Sequence, residues 1–105
     1  MKEISESEFD SAISSGLVLV DFGAEWCAPC KAILPVLEKF SADYEGRVEV
    51  FSVDIDRSPS LAAKHGVMSV PTLLVFQSGS QVERIVGAVS EGHLRKKIDP
   101  FVGAA

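Results

Sequence analysis

The chain has 105 residues, enough for one domain with a real hydrophobic core and too few for two. Apolar residues make up 47% of the chain and charged residues 24%, which is the composition of a folded domain and not of a disordered chain. The net charge is −5, and no stripe of basic residues with interleaved aromatics occurs, so the sequence argues against nucleic acid as a partner.

The start of the chain predicts one helix followed by one buried strand. In ISESEFDSAISSG (residues 4–16), Ser5 and Glu8 have the spacing of a capping box, and Gly16 is placed to end the helix. The run LVLVDF (residues 17–22) is apolar almost throughout, which is typical of a strand covered on both faces.

A second helix is predicted to begin near Pro29, because proline suits the first turn of a helix. Four apolar residues at helical spacing are expected to form its buried stripe: Ile33, Leu34, Leu37 and Phe40. Pro35 falls inside this helix, where it removes a backbone hydrogen bond and bends the axis.

The second half of the chain alternates in the same way. RVEVFSVDI (residues 47–55) predicts a strand, and the segment that follows predicts a short helix capped by Ser58 and ended at Gly66. Residues 71–87 predict two strands joined by a Ser-Gly turn. A last amphipathic helix is capped by Ser90, and its residues spaced for burial are Leu94, Ile98 and Phe101.

The predicted order of elements is βαβαβαββα, although no residues are assigned to its first strand. Parallel crossovers come first and an antiparallel hairpin comes last, which indicates a mixed sheet with helices on both faces. We therefore expect a single α/β domain over residues 1–105, with a five-stranded sheet flanked by four helices.

The only two cysteines of the chain, Cys27 and Cys30, have the spacing C-x-x-C. Two cysteines are too few to hold together a small secreted scaffold. The opening MKEISESEF lacks the apolar segment of an export signal, and no apolar run approaches the ~20 residues of a membrane span, so we expect a cytoplasmic protein. In that reducing compartment, a close cysteine pair is more often catalytic or metal-binding than structural.

Zinc and redox chemistry are the two alternatives for this pair. A structural zinc site needs four ligands, and the chain has no third cysteine. His65 and His93 lie on separate helices without ligand-like spacing, so zinc would require dimerisation. A redox pair needs nothing beyond the two thiols, and we expect no metal.

The spacing assigns different roles to the two thiols. Cys27 is predicted to lie near a helix N-terminus, where unpaired amides and the helix dipole favour the thiolate and lower the pKa of the cysteine. A low pKa makes Cys27 an attacking nucleophile and later a good leaving group. Cys30, one turn further in, should be more shielded, and it is predicted to resolve the mixed disulfide.

The segment VDFGAEWCAPCK resembles the active-site segment of the thioredoxin family, whose usual form contains W-C-G-P-C-K. The resemblance extends over essentially the whole chain, through VDID, VPTLLVF and VGAVS in the family's order and spacing. It implies the thioredoxin fold and reduction of protein disulfides by a monomeric electron carrier without a bound cofactor. Its partners would be disulfide-containing proteins and a thioredoxin reductase fed by NADPH or ferredoxin.

Asp21 is a carboxylate within an otherwise apolar strand. One interpretation places it at the exposed end of the strand. The other is a buried acid with a raised pKa, which takes a proton from Cys30 through water. The resemblance favours the second interpretation, since the corresponding aspartate of the family is assigned that role.

The resemblance also implies a substrate groove beside the cysteines. Trp26 is either part of the core or part of a flat apolar docking surface, and Pro71 is either a plain strand-start proline or the family's cis proline. In the second case the Val70 backbone would pair with an extended substrate segment. The candidate groove residues are Trp26, Ala28, Pro29, Ser69, Val70, Pro71 and Gly87.

Three positions depart from the family pattern. Ala28 replaces the usual glycine between the cysteines and could change the redox potential and the choice of partner. Gly23 stands where many relatives carry a second tryptophan, which opens space near the site. Ser52 stands where many carry a lysine, which leaves Asp21 without a counter-charge. No functional role is assigned to His65, His93, Met68, Asp54 or Asp56.

The leading hypothesis is a general protein-disulfide reductase. One alternative is a dedicated electron donor to a single acceptor, such as a peroxiredoxin or a specialised reductase, because Ala28 and Gly23 are unusual. Another is a subunit that stabilises a larger complex without using its thiols. The intact cysteine motif, with Asp21 and Pro71, argues against that second alternative.

Overall fold

The computed structural model describes residues 1–103, which contain five strands and four helices in the predicted order βαβαβαββα. The strands are β1 (Lys2–Glu3), β2 (Leu17–Gly23), β3 (Glu49–Asp54), β4 (Thr72–Gln77) and β5 (Ser80–Val86). The helices are α1 (Glu6–Ile13), α2 (Ala28–Asp43), α3 (Pro59–Lys64) and α4 (Glu91–Val102). Within this range, no helix combines the length and the apolar character that a bilayer crossing requires.

The five strands form one mixed sheet in the order β1-β3-β2-β4-β5. β2 is parallel to β3 and antiparallel to β4, so it lies at the centre of the sheet. This position explains its apolar sequence, because residues 17–22 are all buried. β1 pairs with β3 through only two residues, a length at which no hydrophobic pattern can be recognised in the sequence.

Alternate residues of β2 face different helices. Leu17 and Leu19 pack in the cluster that includes the buried residues of α2 and α4. Val18 and Val20 pack in the opposite cluster, with residues of α1 and α3. Because side chains alternate along a strand, Asp21 shares the face of Leu19 and points toward α2. The helix that begins at the cysteine pair therefore covers the only carboxylate of this strand.

Two of the three predicted serine caps are confirmed, whereas α1 ends at Ile13, before the predicted Gly16. The Glu8 carboxylate accepts a hydrogen bond of 3.0 Å from the Ser5 backbone N–H. Ser90 Oγ accepts one of 3.1 Å from the His93 backbone N–H. At Ser58 the predicted side-chain cap is wrong, because only its backbone carbonyl accepts a bond from the first turn of α3.

The predicted buried stripe of α2 is wrong at one position. Ile33, Leu37 and Phe40 are buried, whereas Leu34 is 37% exposed. Successive residues of a helix are rotated by about 100° around its axis. Leu34, which directly follows buried Ile33, therefore lies at the edge of the buried stripe and not at its centre. Phe101 of α4 is likewise only partly buried, at the margin of the same cluster.

Candidate active site

The two cysteines lie where β2 passes into α2. Cys27 is the N-cap residue of α2 and Cys30 lies in its first turn, with the two Cα atoms 5.3 Å apart. The structure holds the pair as a disulfide. The backbone N–H of Cys30 donates a hydrogen bond of 3.2 Å to Cys27 Sγ. This N–H belongs to the first helical turn, where backbone amides have no carbonyl partner within the helix. It thus points at the sulfur that is predicted to become the thiolate.

The expected difference in shielding is wrong at the level of whole residues, because Cys27 and Cys30 are each 5% exposed. The two residues differ instead in the space that they face. Cys27 lines a groove of about 450 Å³ that also contains Trp26 and Val70. Cys30 lines a separate cavity of about 240 Å³ between α2 and the sheet. The fold therefore gives each sulfur its own surroundings.

The groove beside Cys27 contains most of the residues expected to border it. It is lined by Trp26, Cys27, Ala28, Pro29, Ile55, Val67, Met68, Ser69 and Val70. The Val70 carbonyl oxygen lies 3.7 Å from Cys27 Sγ, and the Val70–Pro71 peptide bond is cis, as the resemblance implied. Pro71 and Gly87 do not line the groove. They lie next to it, where the Gly87 N–H donates a bond of 2.8 Å to the Pro71 carbonyl.

Trp26 belongs to the surface of this groove and not to the core. It is 68% exposed, and its indole N–H donates a hydrogen bond of 2.8 Å to Asp56 Oδ2. Met68, which also lines the groove, is 94% exposed. Sequence reasoning assigned no role to Asp56 or Met68. The available signal was the apolar pair Val67–Met68, which follows α3 and belongs to neither a helical nor a strand pattern.

Asp21 is buried in the middle of the sheet, so the interpretation as an exposed strand end is wrong. It is 3% exposed, and its neighbours across the sheet are Ser52 on β3 and Leu73 on β4. Its Oδ1 atom is buried without a hydrogen-bond partner among the described residues. Burial raises the pKa of Asp21 to about 7, because the charged carboxylate loses its hydration and no cation offsets that loss.

Asp21 and Cys30 line the same cavity, together with Gly23 and Ser52. The rim carries charged side chains organised by Arg57. The Arg57 guanidinium lies 2.8 Å from the Glu3 carboxylate, 3.1 Å from that of Glu25 and 3.2 Å from that of Asp54. Asp54, also given no role from sequence, accepts further bonds from the backbone N–H groups of residues 56 and 57. These contacts hold the turn after β3 against the cavity mouth.

Residues 1–103 contain no group of three histidine, cysteine, aspartate or glutamate side chains placed to hold a metal ion. His65 packs against Phe9, with ring centroids 5.0 Å apart, in the core cluster that includes residues of α1 and α3. His93 lies on α4. The donor set around the cysteines is therefore two sulfurs and one buried carboxylate, which suits thiol chemistry assisted by proton transfer.

Comparison with known proteins gives one family and a set of similar chains. A family model described as "Thioredoxin" matches residues 1–100. The chain is 47% identical over 97 residues to proteins named "Thioredoxin" from Staphylococcus aureus strains Mu50 / ATCC 700699, MW2 and N315. In each case the alignment covers 92% of this chain and 93% of the relative.

Proposed function

Because the chain belongs to the thioredoxin family and is a protein-disulfide oxidoreductase with a redox-active cysteine pair, we propose that Cys27 is its attacking thiol and Cys30 its resolving thiol. One observation carries this assignment: the two cysteines face different spaces. The groove at Cys27 has a volume of about 450 Å³, and its lining includes the exposed side chains of Trp26 and Met68. The cavity at Cys30 is smaller and holds the buried carboxylate.

In the first step the Cys27 thiolate attacks one sulfur of a target disulfide. A bond forms between Cys27 Sγ and that sulfur, the target S–S bond breaks, and the other target sulfur leaves as a thiolate. The Cys30 N–H that donates to Cys27 Sγ stabilises the thiolate before attack. The product is a mixed disulfide between the protein and its target.

In the second step Cys30 resolves the mixed disulfide. Its thiol gives a proton through water to the Asp21 carboxylate, and the resulting thiolate attacks Cys27 Sγ. The bond between Cys27 and the target breaks, and the target sulfur leaves as a second thiolate. The target has then gained the two electrons that the cysteine pair loses as it becomes a disulfide. Since the pKa of Asp21 is about 7, the carboxylate is populated near neutral pH and still basic enough to accept the proton.

The proposed substrates are proteins that present a disulfide on an extended segment. The Val70 carbonyl, 3.7 Å from Cys27 Sγ, would pair with the backbone of that segment. Exposed Trp26 and Met68, which both line the groove, would contact its apolar side chains. Pro71 and Gly87 would act indirectly, by holding the Val70 backbone in place.

We further propose that electrons come from a thioredoxin reductase fed by NADPH or ferredoxin. In this proposal the protein is a cytoplasmic monomer, and residues 1–105 form one thioredoxin domain without a bound cofactor. The redox equivalents are carried by the cysteine pair itself.

Insulin reduction tests the general activity. We expect the protein, recycled by dithiothreitol, to reduce insulin far faster than dithiothreitol alone, and the Cys27→Ser/Cys30→Ser variant to add nothing. Activity with only one acceptor, for example a peroxiredoxin, would instead indicate a dedicated donor. Full function of the double variant within a complex would show that the thiols are not used.

Alkylation tests the division of labour between the cysteines. In the reduced protein near neutral pH, we expect iodoacetamide to modify Cys27 first, because its sulfur accepts the first-turn amide and faces the open groove. Mass mapping after short exposure identifies the modified residue. Initial modification of Cys30 would reverse the proposed roles.

A further inference from the structure

Met68 presents an exposed thioether in the groove beside Cys27. The chain has two methionines, Met1 and Met68. Met68 is 94% exposed, the largest exposed fraction among the large apolar residues that the structure describes, and it lines the groove together with Trp26 and Val70. Its side chain is therefore open to small reagents in solution as well as to a docking target.

The backbone is fixed on both sides of Met68. The Val67 N–H donates a hydrogen bond of 2.9 Å to the Ala62 carbonyl in α3. The Ser69 carbonyl accepts one of 2.7 Å from the Thr72 hydroxyl at the start of β4. Met68 thus has a defined place between α3 and β4, and its exposure belongs to the fold.

We propose that Met68 is an oxidation site whose sulfoxide form weakens the docking of protein substrates in the groove. The inference rests on the proposed function, in which this groove receives the target. It adds to the site a second redox-sensitive sulfur, which acts on substrate binding and not on electron transfer between thiols.

The oxidant is a peroxide, of which hydrogen peroxide is the simplest. The thioether sulfur attacks one peroxide oxygen, an S–O bond forms and the O–O bond breaks. The proton on the attacked oxygen moves to the departing hydroxide, which leaves as water. The sulfur loses two electrons and the peroxide gains them. The reverse reaction needs a methionine sulfoxide reductase and two thiols, which become a disulfide as the thioether returns and water is released.

The disulfide state of the protein directs a peroxide to Met68. In this state neither Cys27 nor Cys30 has a free thiol, and each is only 5% exposed. Met1 is 43% exposed and does not line the groove. Of the cysteines and methionines of the chain, Met68 is therefore the most accessible to an oxidant.

Oxidation would place a polar S–O group in a largely apolar groove. The apolar residues that share this groove with Met68 and Cys27 are Trp26, Ala28, Pro29, Ile55, Val67 and Val70. The indole N–H of Trp26 already donates to Asp56, and an apolar target side chain offers no donor to the sulfoxide oxygen. Docking would therefore remove that oxygen from water without a replacement hydrogen bond, which lowers affinity.

The test oxidises the disulfide form with hydrogen peroxide and verifies the added oxygen on Met68 by mass mapping. After removal of the peroxide, dithiothreitol reduces the cysteine pair and leaves the sulfoxide in place. We expect the KM for insulin to rise roughly tenfold, with little change in the maximal rate. The rate of Cys27 alkylation by iodoacetamide should not change, because this small reagent needs no docking. Methionine sulfoxide reductases for both sulfoxide epimers, supplied with dithiothreitol, should restore the KM.

Met68→Leu is the matched control, because leucine is apolar and has no sulfur to oxidise. Its KM after peroxide treatment should equal its own KM before treatment, although Met1 and Trp26 are still present. A rise in this variant would assign the effect to another residue and overturn the inference. Met68→Gln introduces a polar side chain without any oxidation and should raise the KM, and an unchanged KM in that variant would also overturn the inference.

Trp26→Ala separates failure of this inference from failure of the proposed function. If Trp26→Ala has a raised KM but full oxidation of Met68 in the wild type leaves the KM unchanged, the inference alone is overturned. The inference is likewise overturned if peroxide oxidises Met1 and leaves Met68 intact. Undiminished insulin reduction by Trp26→Ala would show that the groove is not the docking surface, which overturns both.

Discussion

Cys30→Ser is expected to accumulate long-lived mixed disulfides through Cys27, and Cys27→Ser to trap almost nothing. In the first variant Cys27 can still attack a target disulfide, but no second thiol is present to break the new bond. In the second variant the remaining thiol, Cys30, lines the smaller cavity that it shares with Asp21 and not the groove that is proposed to receive the target. Turnover of insulin should fall in both variants to the rate of dithiothreitol alone.

The measurement is capture of disulfide-bearing proteins, with release by excess dithiothreitol and identification of the bonded cysteine by mass mapping. The Cys27→Ser/Cys30→Ser variant, which has neither thiol of the pair, is the control for proteins that bind the groove without a covalent bond. Equal covalent trapping by the two single variants would contradict the assignment of roles, and so would covalent capture through Cys30 alone.

Asp21→Asn is expected to raise stability and lower activity at the same time. Burial raises the pKa of Asp21 from its ordinary value of 3.8 to about 7 in the folded protein. The native state therefore binds the proton more tightly than the unfolded chain, and ionisation destabilises the fold progressively as the pH rises from about 4 to about 7. Above pH 7 this loss is complete, with an upper limit of about 4 kcal/mol.

Asparagine has nearly the same shape and cannot ionise, so the variant should unfold at higher urea than the wild type at pH 8. Below pH 4 the gain should disappear, because Asp21 is then largely protonated in both the folded and the unfolded state. The gain at pH 8 will be smaller than the upper limit, since a buried amide also loses its hydration. The matched control is Asp10→Asn, an exposed carboxylate on α1 whose replacement should change neither property.

The activity of Asp21→Asn should fall because Cys30 loses its proton acceptor. General acid–base groups typically contribute about 100-fold or more to the rate of a step that they assist. The loss should appear in resolution of the mixed disulfide and not in its formation. A variant that is less stable than the wild type at pH 8 would show that the ionised carboxylate is favourably solvated in the fold.

The sequence alone determined features that depend on short spacing. Two residues between Cys27 and Cys30, followed by a helical pattern, are sufficient to place one sulfur at the N-cap and the other in the first turn. The apolar run 17–22 likewise indicated a buried strand, because a strand covered on both faces needs apolar residues at successive positions. These features are local, so the chain specifies them without reference to distant segments.

The tertiary structure alone decided which distant residues meet at the site. Trp26 bonds to Asp56 across 30 residues, and Cys27 Sγ approaches the Val70 carbonyl across 43. Asp21 is buried because β3 and β4 flank β2, an arrangement that follows from the strand order and not from the sequence around the aspartate. The separate surroundings of the two cysteines have the same origin, because α2 packs across the sheet and places Cys27 beside the groove and Cys30 beside the cavity over β2. Long-range packing therefore converted a local cysteine motif into an asymmetric redox site.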